Sequence, residues 1–421
     1  MAYHPRRRPS VALGPGYGGR LTRPPPRVSP WRFYMEQLRI EIRPGVGTLD
    51  PAAWDALSAD TNPFLSHAFL STLERTGCLD EASGWVPQIL CAFADDALVG
   101  ALPLYLKFHS RGEFVFDWSW AEAAHRAGIP YYPKAVVAVP FSPVTGARVL
   151  VRPEAHSPAV MRALVRAAIA LADQAGLSSL HFNFIRPEDR ALFAELGLPI
   201  RAGIQYQWQN HDPVSGAPYT DFDGFLGAFR AKRRATIRRE RRELQRAGVR
   251  ARVLRGDELT DEVMRRMHRY YADTVDKFFY GERYLNEAFF VEIARAMPGA
   301  LHLMMLEQEG EPFGGAFNLV DDTHLFGRYW GCERQVRFAH FEACIYAPVT
   351  WAIAQGLQVF EPGAGGDHKY ERGFTPTATY SAHYIRDQRL RLAIQDFLAQ
   401  EHREVDTRID ALRQIGPLKE G

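Results

Sequence analysis

The residues best equipped for chemistry crowd into one stretch, Phe360 to Phe374, which reads FEPGAGGDHKYERGF. Glu361 ends a short apolar run, and Pro362, Gly363, Gly365 and Gly366 then force a tight, open turn. Proline fixes φ and the glycines tolerate positive φ, so successive backbone N–H groups can point into one concavity. Asp367, His368, Lys369, Tyr370, Glu371 and Arg372 follow at once. A loop of this kind can hold an anion while keeping an acid or a base beside it.

The elements that must position this loop recur twice along the chain. In the later copy, Leu301 to Leu306, a turn at Glu309-Gly310, Phe313 to Val320 and His324 to Trp330 read as three strands. A helix from His340 to Gln355, stopped by Gly356, then leads to a strand ending at Glu361. In the earlier copy, Gln88 to Phe93 and Leu98 to Leu106 form a hairpin, and Phe114 to Trp120 reads as another extended run. Lys134 to Val139 follows, then a helix opened by Ser157-Pro158 and stopped by Gly176, and a strand Leu180 to Phe184. A helix over 187–196 and a strand Gln205 to Trp208 complete this copy. Asn62 and Ser66 cap a helix running to Thr76. Two copies of strand-turn-strand, strand, helix, strand predict duplicated α/β domains with mixed sheets.

Between the copies lies Phe225 to Gly248, FLGAFRAKRRATIRRERRELQRAG. Leu226, Phe229, Ile237 and Leu244 recur at helical spacing, and arginines cover the rest, relieved by Glu240 and Glu243. Like charges four apart cost an isolated helix a few tenths of a kcal/mol per pair, so the excess points to phosphate or other anions. The predicted division is residues 1–34, a basic tail or an extension upstream of a true start at Met35; 35–215, the first domain; 225–248, the basic helix; 249–402, the second domain; and 403–421, a tail. The length of 421 residues supports two folded units, and the net charge of +2 is too small to imply a polyanionic partner by itself. Cys78, Cys91, Cys332 and Cys344 show no metal-ligand or CxxC spacing, so no metal is expected. No apolar run approaches the roughly 20 residues needed to span a bilayer; the expectation is a soluble, cytoplasmic protein.

Several motifs, in order, carry a resemblance: Asn62-Pro-Phe-Leu-Ser66, Gly100-Ala-Leu-Pro-Leu-Tyr105, Val115-Phe-Asp-Trp118, Pro140-Phe-Ser-Pro-Val-Thr-Gly146, the basic helix, Gly327-Arg-Tyr-Trp-Gly331, His340-Phe-Glu342 and the Gly-rich loop. Over roughly residues 36–402 the set resembles the FemAB-like branch of the GNAT acyltransferase superfamily, described as N-acyltransferases or peptidoglycan biosynthesis and recognition proteins. The resemblance implies two tandem GNAT-like domains joined by a basic helix. It also implies transfer of an acyl or aminoacyl group to a small-molecule or peptide amine, such as a peptidoglycan precursor. The donor is left open between acyl-CoA and aminoacyl-tRNA. The position of a GNAT pyrophosphate loop reads Cys332-Glu-Arg-Gln-Val-Arg-Phe-Ala339, with no glycine. Arg334 and Arg337 could hold phosphates by side chain instead, with Arg234 and Arg238 of the basic helix as a possible tRNA contact.

Transfer to an amine needs a base or a water path, a stabilised oxyanion and alignment of the reactants. Candidate bases are Glu361, Glu342, His340 and His368, although an acid in a helix's first turn also favours the dipole. Lys369 and Arg372 are the expected anion contacts, and Arg328 and Tyr329 would line the same pocket. Asp117, between Phe116 and Trp118, could bind a cationic amine or have its pKa raised by its apolar neighbours; Trp118 would be pocket wall. Two rival classes are a non-catalytic module that recognises a cell-wall precursor and an RNA-associated factor working through the basic helix. Neither the acceptor nor the oligomeric state follows from the sequence.

Overall fold

Apolar alternation in each half of the chain is spent on strands, and Pro and Gly end them. The computed structural model describes residues 32–35, 38–58, 62–153, 158–277 and 281–419. Of the tail expected over 1–34, residues 1–31 lie outside the described residues, as does the Ser157 helix start, whereas residues 32–34 belong to the first strand. The first half runs β1 (Arg32–Met35), β2 (Leu38–Arg43), α1 (Pro51–Asp55), α2 (His67–Arg75), β3 (Trp85–Pro87), β4 (Ile89–Ala94), β5 (Ala97–Leu102), β6 (Leu104–Lys107), α3 (Trp118–Arg126), β7 (Lys134–Val137), β8 (Leu150–Val151), α4 (Pro158–Gln174), β9 (Ser179–Ile185), α5 (Arg190–Glu195) and β10 (Ile200–Gln209). After α6 (Phe222–Gly227) and α7 (Ala231–Arg246) come β11 (Val249–Leu254), α8 (Asp261–Asp276), α9 (Glu287–Ala296), β12 (Leu301–Gln308), β13 (Glu311–Val320) and β14 (His324–Cys332). The chain ends through α10 (Ala339–Phe341), α11 (Ala347–Ala354), β15 (Val359–Glu361), α12 (Asp367–Tyr370), β16 (Thr375–Ile385) and α13 (Gln388–Gln414). α13 runs through the boundary expected at 402.

Asn62 and Ser66 cap as expected, their side chains accepting from Phe64 N and Phe69 N. Two sequence expectations are corrected. Phe114 to Trp120 is not a strand: Asp117 is the N-cap of α3, and Trp120 and Ala124 are buried at helical spacing. The basic segment is not one helix either. It breaks at Ala228–Arg230, because Phe229 leaves the helical path to bridge Leu418, and Arg230 N donates to Pro417 O.

The strands form two sheets. One has the order β1-β2-β4-β5-β8, and the other runs β11-β12-β13-β14-β15-β10-β16-β9-β7-β6-β3. Pro103, lacking an N–H for the ladder, lets the β5–β6 chain pass from the first sheet to the second. Among the described residues each half contains one parallel pair, β7 with β9 and β14 with β15, and the other pairings are antiparallel. The halves also exchange strands. β10 of the first half lies between β15 and β16 of the second, and β16 lies between β10 and β9. Edge-on ring contacts, Phe64–Phe326 at 5.5 Å and Phe69–Phe289 at 5.9 Å, continue the core across the halves. Each such buried Phe stabilises by about 1.5–3 kcal/mol, so the halves fold against one another.

The helix before β15 is interrupted. Between α10 and α11 the backbone adopts a π turn, Glu342–Tyr346. Pro348 sits just inside α11 and has no N–H for the preceding turn, so the extra residue relieves an otherwise broken ladder.

Candidate functional site

β14 pairs in parallel with β15 only over His324–Phe326 against Val359–Glu361. One residue later the register of β13 with β14 slips, Asn318 facing Gly327 and Phe317 facing Tyr329, which leaves Arg328 as the extra residue of a bulge. A bulge bends its strand and re-aims the side chain it carries. Beyond it β14 and β15 part. The gap holds a cavity of about 220 Å³ lined by Asn318, Arg328, Tyr329, Trp330, His340, Cys344, Pro362, Gly365, Gly366, His368 and Lys369, among others.

The Gly-rich loop forms one wall. Gly363, Gly365 and Gly366 take φ of 83°, 68° and 90°, the conformations the sequence demanded. A Cβ on Gly366 would fall 2.6 Å from the His368 ring, so its absence lets that ring fold back over the turn. Lys369 closes the loop: Nζ donates to Gly363 O at 2.8 Å and to Ala364 O at 3.2 Å. Burial pulls its ammonium down to about 8. The His368 and His340 rings lie 5.4 Å apart. Burial and the neighbouring cations take His340 down to about 4 and also lower His368, so both are neutral near pH 7. The buried His368 Nε2 has no hydrogen-bond partner among the described residues.

Glu361 is 6% exposed. Its Oε1 accepts from Gln207 Nε2 at 2.9 Å, and its Oε2 is buried without a partner among the described residues. Burial raises its pKa, opposed by Arg328 and His324. Arg328 Nη1 donates to Gly327 O, its Nε and Nη2 have no partner among the described residues, and the guanidinium sits 4.3 Å from the Phe64 ring centroid. Burial lowers it to about 10, so it stays charged. Arg328 and Glu361 form no ion pair within 4.0 Å among the described residues, leaving donor and acceptor capacity on both. Tyr329 donates through its hydroxyl to Phe141 O at 3.0 Å, which ties the splayed strand to the Pro140–Gly146 loop of the first half.

Several expected site residues lie elsewhere. Arg372 is not an open anion contact: Nη2 donates to both Glu240 oxygens at 3.1 Å, Nε to the Tyr346 hydroxyl, Nη1 to His368 O, and the guanidinium stacks on Phe341. Glu342 pairs with Arg241 at 2.9 and 3.2 Å and clamps α7 onto the π turn rather than facing the cavity. Asp117 sits in the first half, held by Lys134 Nζ at 2.5 Å and Tyr131 Oη at 2.6 Å. Burial pushes its carboxyl up, but Lys134 and His181 outweigh that and hold it below the usual range, against the raised value expected from its apolar neighbours. Trp118 is half exposed at the start of α3.

The four arginines expected at donor phosphates do not converge on the cavity. Arg334 is exposed, 5.0 Å from the Phe313 ring centroid, and Arg337 pairs with Glu243 at 3.5 Å. Arg234 and Arg238 line a separate groove between α6 and α7. A larger groove of about 1130 Å³ does share His368 with the cavity, and Arg230, Lys232, Arg233, Arg408, Tyr206, Tyr370, Asp367 and Glu371 are among its walls. Gln207, Tyr206 and Arg408 escaped sequence reasoning; Gln205 and Gln207, two apart on one strand, were the available hint of polar groups on a buried face.

No helix among the described residues is long and apolar enough to cross a membrane, and no cluster of His, Cys, Asp or Glu there could hold a metal ion. The FemAB-like family model, described as peptidoglycan biosynthesis/recognition, matches residues 45–420. No curated protein matches the chain. FemX is 12% identical, with 82% of this chain and 98% of that chain aligned at a TM-score of 0.51; the two share a fold. L-PGS from Bacillus licheniformis is 14% identical over 78% of this chain and 94% of its own, at 0.47. A tandem GNAT protein from the clavulanic acid biosynthesis pathway is 13% identical over 83% and 98%, at 0.38.

Proposed function

The chain belongs to the FemAB-like peptidoglycan biosynthesis/recognition family, and from that premise we propose that it transfers an acyl or aminoacyl group to an amine at the cavity between β14 and β15. The observation that carries this reading is the spare capacity of Arg328 Nε and Nη2 and of Glu361 Oε2, which have no partner among the described residues, beside the bulge where the strands separate. At about 220 Å³ the cavity is smaller than a drug-sized pocket of roughly 300–1,000 Å³, which suits a small acyl or aminoacyl group with its carrier outside.

In this mechanism the Arg328 Nε–H and Nη2–H groups stabilise the oxyanion that forms as the amine attacks the carbonyl. Such preorganised donors are worth about 10²–10³ in rate. Glu361 Oε2 takes the proton released by the attacking amine, its basicity strengthened by burial. Collapse of the oxyanion then breaks the bond between the acyl carbon and the carrier's oxygen or sulfur, and that proton passes to the departing carrier. Lys369 keeps the loop carbonyls drawn together, so the turn holds the donor against β14. The carrier lies in the groove joined to the cavity through His368, where Arg230, Lys232, Arg233 and Arg408 outnumber Asp367 and Glu371. That excess, with Tyr370 as a stacking surface, favours an aminoacylated nucleic-acid end over coenzyme A. The amine is that of a peptidoglycan-related precursor.

Calorimetric titration at low salt with coenzyme A, acetyl-CoA and an aminoacyl-tRNA tests the donor. We expect tRNA to bind and coenzyme A to give no heat; micromolar coenzyme A binding that Lys369→Ala weakens would instead assign an acyl-CoA donor.

A further inference from the structure

The arginines of α7 divide between two sides of the helix. Arg230 and Arg233 line the groove joined to the cavity, whereas Arg234, Arg238, Arg241 and Arg242 line a second groove of about 690 Å³ against α6. Transfer at the cavity makes no use of this second groove.

Its floor is apolar, formed by Phe222, Leu226, Ala231 and Ala235, and its rim carries four arginines against one acid, Asp223. Arg241 is committed to Glu342. The other three have guanidinium N–H groups to spare. Arg234 Nη1 donates to Phe229 O at 3.1 Å, Arg242 Nε donates to Arg238 O at 3.3 Å, and the nearest carboxylate to Arg238 is Asp223 at 3.8 Å. Arg238 and Arg242 are exposed. Residues 234, 238 and 242 succeed one another at four-residue spacing, where like charges weaken a helix. An anion bridging them would reverse that cost.

We propose that the α6–α7 groove docks the protein on an anionic phospholipid surface, the arginines taking lipid phosphates and the Phe222–Leu226 floor taking the first methylenes. Phosphate alone would need only the rim, whereas phosphate joined to hydrocarbon uses both rim and floor.

The test is flotation of the full chain with vesicles of phosphatidylcholine alone and of phosphatidylcholine with a third phosphatidylglycerol, read without any activity assay and so independent of the transfer reaction. Binding to the anionic vesicles should fall as salt rises. The combined Arg234→Glu, Arg238→Glu, Arg242→Glu protein should bind them about a hundredfold more weakly. A protein with the same net charge, carrying Arg250→Glu, Arg269→Glu and Arg413→Glu away from the groove, should stay within a few-fold of wild type. If the triple variant unfolds, the three Arg→Gln changes serve instead, with a smaller loss in the same direction. Equal binding to both vesicle types, or equal loss in the control, overturns the proposal. So does saturation of the groove by soluble glycerol phosphate without vesicle binding, or tRNA binding that is lost in the triple variant while vesicles are ignored.

Discussion

Gln207 and Glu361 meet across 154 residues of sequence, Nε2 to Oε1 at 2.9 Å. They reach one another because β10 and β15 pair, with Trp208 opposite Phe360. The buried carboxylate at the end of β15, one residue before the cavity-lining Pro362, is therefore held by a side chain of the first half, and strand exchange becomes part of the site.

Glu361→Gln should lower the transfer rate by about 10²–10⁴, the range for a lost general base. Gln207→Leu removes a hydrogen bond that favours the charged carboxylate, so the acid limb of kcat/KM against pH should move to higher pH. Because burial raises Glu361 in the fold, its contribution to stability is complete below the unfolded pKa and fades as pH rises through the folded one. Urea melts of Glu361→Gln should lose that slope. An acid limb indifferent to Gln207 would remove Glu361 as the base.

Lys369 titrates near 8 in the fold against 10.5 ordinarily. A lysine lowered in this way contributes stability above its unfolded pKa that is lost as pH falls through the folded value, on the order of 3 kcal/mol by pH 7. Lys369→Met should abolish that part of the stability–pH curve. The ammonium draws the loop carbonyls together, so transfer should also decline above pH 8 in the wild type, and Lys369→Ala should abolish it with the fold intact. Wild-type transfer in Lys369→Ala would take the loop out of the mechanism.

Much of this site was legible because its geometry is local. Three glycines and a proline within five positions permit few backbones, and Glu361 to Lys369 stand where that turn put them. The repeated strand–helix–strand order was legible for the same reason, each copy resting on an apolar strand and a helix stopped by a glycine. What depends on distant partners was not. Arg372 reads as a free cation until Glu240 appears beside it from 132 residues away, and nothing in the alternation of β10 or β16 says which strands flank them. Phe114 to Trp120 reads as a strand because aromatic residues suit strands, while the deciding contacts, Trp120 and Ala124 on one buried face, lie on a helix.

Arg372 and Glu240 are 5% and 4% exposed, so removing one strands the other in the interior. Arg372→Met should cost about 3–5 kcal/mol in urea melts. Pairing it with Glu240→Met should recover a large part, because an apolar pair carries no unpaired charge. A single variant as stable as wild type would mean that Arg372 is free to serve the cavity after all.

Gly331 tests whether β14 must touch α8 for the site to form. A Cβ there would lie 1.7 Å from Tyr270 O and 2.1 Å from its carbonyl carbon. Those are backbone atoms inside a helix, which cannot swing aside as a side chain would, so Gly331→Ala should cost at least about 4 kcal/mol and push the bulged end of β14 away from its place beside Arg328. Gly356 supplies the contrast. It has φ of 69° and a Cβ added there would meet nothing within 4 Å, so Gly356→Ala should cost only the left-handed strain of about 1–2 kcal/mol. Thermal melts of the two variants separate the effects. Equal losses would mean that the strand can retreat from α8 freely, and the cavity would then not owe its shape to that contact.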